Sequence, residues 1–108
     1  MPKNTLSKKK DLDQIFKTGL SFYCPVLGLK YLPNTLGFNR LGIIIGLKVS
    51  KKAVVRNKIK RQIREIVRKD FPQTKNSYDI VIITIKGLET KSFLEIKEAL
   101  LKLAKGLK

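Results

Sequence analysis

The sequence predicts one α+β domain over residues 1–108, with the element order α-β-β-β-α-β-α. Three observations predict it. The stretch 53–71 (AVVRNKIKRQIREIVRKDF) carries apolar side chains at helical spacing. At about 100° per residue, Val55, Ile59, Ile63, Ile66 and Val67 fall within an arc of about 120°. Two strand-length apolar runs, RLGIIIGLK at 40–48 and YDIVIITIK at 78–86, flank that helix. Such a strand–helix–strand passage implies a parallel crossover. Finally, a chain of 108 residues that is 43% hydrophobic, with four prolines, can bury one core and is no disordered tail.

Each element has its own local reason. Residues 1–6 read as a flexible arm. Ser7 is a fitting N-cap for a first helix over about residues 8–17, and Gly19 a fitting stop. Leu12, Ile15 and Phe16 form its apolar stripe. Phe16 has two readings: a core anchor, or the lip of a groove that stacks on a base. Pro25 cannot donate to a ladder, so the extended chain of 20–32 divides into strands at about 20–24 and 26–32. In the second, Leu27, Leu29 and Tyr31 alternate with Val26, Gly28 and Lys30. The first set suits a buried face. The second suits a partly open one, either merely solvated or approached closely by a backbone or a phosphate.

Residues 33–39 (PNTLGFN) read as a loop. The strand at 40–48 is apolar on both faces and is therefore expected at the centre of the sheet. Gly42 and Gly46 share a side with Ile44, as if something comes close there. The connection 49–52 (VSKK) leads into the long helix, 72–77 reads as a loop, and Gly87 ends the last strand. Thr90 or Ser92 caps a final helix to about residue 105, with Phe93, Ile96, Leu100, Leu101, Leu103 and Ala104 on its apolar side. Gly106 closes it.

Charge restricts the function. Lys and Arg number 24 against 8 Asp and Glu, a formal net charge of +16. A domain this basic repels itself unless a polyanion neutralises it. The charge is also patterned. Arg56, Lys60, Arg64, Asn57, Arg68 and Arg61 share an arc of about 140° on the long helix, beside its apolar arc and with no acid among them. An ordinary solvated face mixes signs, because Glu–Lys pairs four apart stabilise a helix. Lys48, Lys51 and Lys52 crowd the connection just before it. Nucleic acid is the leading partner class and an anionic membrane surface the second. An interfacial helix, however, needs an exposed apolar face with aromatic anchors, and here that face carries β-branched residues suited to a core.

The residues missing from the chain exclude most protein-borne chemistry. There is no histidine, which removes the commonest general base and the Ser-His and Cys-His pairs. One cysteine, Cys24, permits no internal disulfide and reads as a packed thiol; with no histidine beside it, ordinary zinc sites are impossible. No acids pair by pattern, so a metal site and a catalytic residue are both expected to be absent, and any chemistry to come from a partner. The basic start MPKNTLSKKK is followed by no apolar h-region, and no run is long enough to span a bilayer. A cytoplasmic protein is expected.

Arg56-Asn57-Lys58-Ile59-Lys60-Arg61 followed by Arg64-Glu65 resembles the R-N-x-[IV]-K-R-x-x-R-[EQ] signature of the bacterial ribonuclease P protein component. The resemblance covers nearly the whole chain. Asp11, Phe16, Lys17 and Gly19 meet its D-x-x-x-x-F-K-x-G pattern, Arg40-Leu41-Gly42 its R-[VIL]-G start of a strand, and Asp79 to Ile83 its D-[FYI]-V-[VI]-[VI] strand. It implies a two-layer sandwich of the ribosomal protein S5 domain 2 type with a left-handed βαβ crossover, a hand opposite to the usual one. It also implies a function: the protein subunit of a ribonucleoprotein that removes the 5′ leader of precursor tRNA. The RNA and Mg²⁺ perform the hydrolysis, and the protein alone binds no cofactor. One protein would join one catalytic RNA, with no obligate protein partner and no membrane.

Carried onto this sequence, the resemblance implies contacts to the catalytic RNA from Lys48, Lys51, Lys52, Arg56, Asn57, Lys60, Arg61, Arg64 and Arg68. It implies a leader-binding cleft between the first helix and the sheet, lined by Leu12, Phe16, Val26, Lys30, Ile44 and Lys86. Four positions depart from the family. Leu12 stands where a second aromatic is usual, and Lys30 where a strand aromatic often sits, which makes that contact electrostatic. Gly46-Leu47-Lys48 replaces the usual S-K-K, and Ile85 a frequently basic residue. The alternative is a structural RNA-binding protein without a role in cleavage, such as a ribosomal component.

Overall fold

The computed structural model describes residues 5, 6, 8–46, 48–71 and 75–107. Along them run α1 (Lys9–Thr18), β1 (Leu20–Tyr23), β2 (Leu27–Asn34), β3 (Arg40–Ile45), α2 (Ala53–Asp70), β4 (Ser77–Thr84) and α3 (Phe93–Ala104), with a 3-10 turn at Leu88–Thr90. The order of helices and strands is the expected one. The Ser7 cap, the first four residues of the arm, Leu47 and residues 72–74 of the second loop lie outside the described residues.

The strands form one sheet in the order β1-β2-β4-β3. β1–β2 and β2–β4 are antiparallel, and β3–β4 is the parallel pair that α2 connects. Alternation then divides the side chains between two faces. Leu27, Leu29, Ile45, Ile80 and Ile82 meet Ile59, Ile63 and Ile66 of α2 and Ile96, Leu100 and Leu103 of α3 in the main core. Burying each such side chain contributes about 1.5–3 kcal/mol. Val81 faces the other way. With Ile15 of α1 and Leu6 it forms a second, smaller core, flanked by Leu12, Leu32, Ile44 and Ile83. Sheet, α2 and α3 thus make the two-layer body, and α1 covers part of the opposite face.

Several local expectations change. β3 is an edge strand, not a central one. Its residues are apolar on both sides because both faces are covered, which says nothing about lateral position. Its outer edge is met by the N-terminal segment: Thr5 bridges Leu41 in parallel, and the Leu6 N–H donates to the Leu41 carbonyl at 2.8 Å. Thr5 and Leu6 are therefore not part of a loose arm, and Leu6 is buried. β2 continues through Pro33 to Asn34, where a loop was expected. β1 reaches only to the Leu20–Tyr31 pair, so Pro33 has a strand on one side alone, a position that tolerates a missing N–H.

β3 and β4 end earlier than their apolar runs. There the Thr84 hydroxyl donates to the Ile44 carbonyl at 3.1 Å and accepts from the Gly46 N–H at 3.3 Å, replacing further ladder bonds. Gly19 does stop α1, but through crowding: a Cβ there would stand 2.5 Å from the Ile15 carbonyl oxygen and 2.9 Å from that of Tyr31. Of the two caps considered for α3, Ser92 is the one used. Its hydroxyl accepts from the Glu95 N–H, and the Glu95 carboxylate accepts from the Ser92 N–H.

Candidate nucleic-acid interface

α2 begins without a side-chain cap and without an acid in its first turn. Lys52 is the N-cap residue. Its N–H donates to the Ser50 hydroxyl at 3.1 Å, and the Arg56 guanidinium donates to the Ser50 carbonyl at 3.3 Å. Lys48, Lys51 and Lys52 are all exposed. The positive end of the helix dipole is therefore joined by three cations and offset by no carboxylate. Along the helix, Ile59, Ile63 and Ile66 are buried, Val55 and Val67 half-buried, as the wheel requires. Asn57, Arg61, Arg64 and Arg68 are exposed, and Arg56 and Lys60 half-buried.

The basic arc is not uniform. Among the described residues, Asn57, Lys60, Arg61 and Arg64 make no ion pair or side-chain hydrogen bond. Arg68 is different. It donates to both oxygens of Glu65 at 3.0 and 2.9 Å, and Lys69 reaches the same carboxylate at 2.7 Å. The hydrogen bonds from Lys69 and then Arg68 hold the Glu65 carboxyl below its usual range. Arg68 is thus partly neutralised within its own helix. The wheel did not show this because Glu65 lies outside the arc.

Most of the other acids are also engaged. Asp70 pairs with Lys97 at 3.5 Å, Glu89 accepts from the Gly87 N–H at 3.0 Å, and Glu95 serves the α3 cap. Asp79 is held from two neighbouring strands. Arg40 donates to its two oxygens at 2.8 and 2.7 Å, and the Asn34 amide donates at 2.8 Å. The same guanidinium reaches Asp11 of α1 at 3.4 Å. Burial pushes the Asp79 carboxyl up, but the Arg40 and Asn34 hydrogen bonds and the Arg40 charge outweigh it and hold it below the ordinary range. The Arg40 guanidinium is raised, first by the Asp79 hydrogen bond. Six of the eight acids are so occupied (Asp11, Glu65, Asp70, Asp79, Glu89 and Glu95), which leaves the arc of α2 with little anionic company. Among the described residues no three His, Cys, Asp or Glu side chains gather into a group that could hold a metal ion.

The second surface is the sheet face that α1 leaves partly open. Ser21, Lys30, Val81 and Gly42 form one rung across it, and Tyr23, Gly28, Ile83 and Ile44 the next. Phe16 is 41% exposed, and the Lys30 ammonium lies over its ring, 5.6 Å from the centroid. This is a cation–π contact. Leu12 and Ile44 are half-buried against the small core. Val26 sits in the bend before β2 and packs against the main core, because the alternation begins only at Leu27. Lys86 is exposed in the turn after β4. Cys24 is a half-buried free thiol against the main core.

The glycines of this face have a nearer cause than a visiting ligand. A Cβ on Gly42 would stand 3.2 Å from Leu6 Cβ and 3.5 Å from Leu12 Cδ2, so Gly42 makes room for the N-terminal segment and α1. A Cβ on Gly28 would stand 2.5 Å from Tyr23 Cε1, so Gly28 makes room for an aromatic ring. Tyr23 is 55% exposed. Sequence reasoning missed it, since it lies in a short strand with no alternation, and its face follows only from the Tyr23–Gly28 register.

Comparison with known proteins identifies the family. The family model described as Ribonuclease P matches residues 1–108. The chain is 35% identical over 106 residues to the ribonuclease P protein component of Clostridium botulinum (strain 657 / Type Ba4), covering 97% of this chain and 95% of that one. It is 37% identical over 102 residues to that of Clostridium kluyveri, covering 93% and 90%. Among solved structures it is similar to the RNase P protein from Thermotoga maritima, with a TM-score of 0.85, 33% identity and coverage of 96% and 97%. The Staphylococcus aureus RNase P protein gives a TM-score of 0.84 at 30% identity, covering 94% and 93%.

Proposed function

The chain belongs to the ribonuclease P protein family, protein components of a tRNA-processing endonuclease that has an RNA partner, and from that premise we propose how its two surfaces divide the work. The exposed arc of α2 and the connection before it bind the catalytic RNA, one protein to one RNA. The cleft between α1 and the sheet holds the 5′ leader of precursor tRNA. The RNA performs the hydrolysis in the cytoplasm with Mg²⁺, which the RNA and not the protein holds.

The observation that carries this reading is the unpaired set Lys60, Arg61 and Arg64 beside Lys48, Lys51 and Lys52. Each cation placed at a phosphate releases a counterion, a gain that grows as salt falls. Arginine adds a planar fork that matches phosphate oxygens in pairs. A single-stranded leader suits the cleft because its bases are unpaired and open to stacking. By neutralising phosphates near the reacting bond, the protein would lower the Mg²⁺ that the RNA requires.

Reconstitution with a cognate catalytic RNA at low Mg²⁺ tests this. Precursor cleavage should rise well above that of the RNA alone. An equal rate with and without protein would refute it, and recovery of ribosomal RNA as the dominant bound RNA from cells would favour a purely structural RNA-binding role.

A further inference from the structure

We infer that Tyr23 is the base-stacking platform of the cleft, a role resting on the leader-binding reading above. Phe16 of α1 and Lys30 and Tyr23 of the sheet border the open part of this cleft. Phe16 already has a partner, since the Lys30 ammonium lies over its ring at 5.6 Å. Tyr23 has none among the described residues. Its ring rests on Gly28, where a Cβ would come within 2.5 and 2.7 Å of two ring carbons. The absent side chain at position 28 thus lets the ring lie down on the sheet, with 55% of the residue open to solvent.

The placement suits an unpaired nucleotide. Tyr23 shares a rung with Ile83 and Ile44, which are half-buried and give an apolar floor. Lys30 is two residues from Gly28 on the same face of β2, about 7 Å along the strand. That is a distance at which one nucleotide can stack its base on the ring and set a phosphate near the ammonium. Stacking is tolerant of base identity, because every base has a π-face. Tyr23 therefore contributes affinity for a leader nucleotide with little sequence preference, while Phe16 orients Lys30.

The test uses the reconstituted holoenzyme, with precursor tRNA, mature tRNA and precursors carrying single abasic sites along the leader. In the unaltered enzyme one abasic position should weaken precursor binding by about tenfold. Tyr23→Ala should weaken the intact precursor by about the same factor, erase the penalty at that abasic position, and leave mature tRNA affinity unchanged. Tyr23→Phe should retain the affinity, because the ring and not the hydroxyl stacks. An unchanged precursor affinity in Tyr23→Ala, or an abasic penalty that survives it and disappears in Phe16→Ala, overturns the assignment. Equal affinity of the unaltered holoenzyme for precursor and mature tRNA overturns the leader-binding reading itself, and this inference with it.

Discussion

Arg40 and Arg64 both stand on family motifs, yet they are in opposite situations. Arg40 is bonded to Asp79 and Asp11 and ties β3, β4 and α1 together, with Asn34 of β2 joined through Asp79. Arg64 is exposed on α2 and, among the described residues, makes no ion pair. The first arginine serves the fold, and the second points its charge at solvent. A count of basic residues cannot distinguish them; the position of the few acids does. The same rule separates Arg68, held by Glu65, from Arg64 about one turn and Arg61 about two turns before it.

The largest effect is expected on the enclosed side. Asp79→Ala leaves the Arg40 guanidinium without its main partner and should cost about 3 kcal/mol of stability, read from urea unfolding. In the folded variant, affinity for the catalytic RNA should hardly change. A stability loss below about 0.5 kcal/mol, the size of an ordinary surface substitution, would show that the clamp contributes little.

The same pair sets a pH dependence. Because the folded Asp79 carboxyl titrates below its ordinary value of about 3.9, its contribution is fully present above that value and is lost as pH falls through the folded one. The stability gap between the unaltered protein and Asp79→Asn should therefore narrow as pH drops from about 5 towards 3. A gap constant with pH would deny the shift.

On the open side the expected order reverses: binding changes and stability does not. Arg61→Ala and Arg64→Ala should each weaken the catalytic RNA several-fold at low salt and move unfolding free energy by no more than about 0.5 kcal/mol. Arg68→Ala should have the smallest effect on RNA binding, since Glu65 already offsets that charge. Glu65→Gln, which releases Arg68, should strengthen binding. Equal losses for Arg61→Ala and Arg68→Ala would break the distinction drawn from Glu65.

Much of this was legible in the sequence because it is periodic. The α2 wheel placed Ile59, Ile63 and Ile66 in the core and the arginines outside, and alternation in β2 placed Leu27 and Leu29 opposite Lys30. What failed depended on contacts distant in sequence. β3 read as central because face burial and lateral position give the same apolar pattern; the covering residue, Leu6, lies 35 positions before its partner Leu41. Gly42 read as a place where something comes close, as Leu6 and Leu12 do, but a missing side chain does not say what fills its place. Tyr23 was invisible for a related reason: the register that sets its ring on Gly28 follows from a turn at residues 24–26 whose geometry the sequence leaves open.

The salt dependence of binding to the catalytic RNA decides most directly whether the open arc of α2 lies against phosphates. For the double substitution Arg61→Ala with Arg64→Ala, the log–log slope should fall in magnitude by up to about 1.4–1.8, with the fold intact by circular dichroism. An unchanged slope would contradict it, and would place those two guanidinium groups away from the RNA backbone.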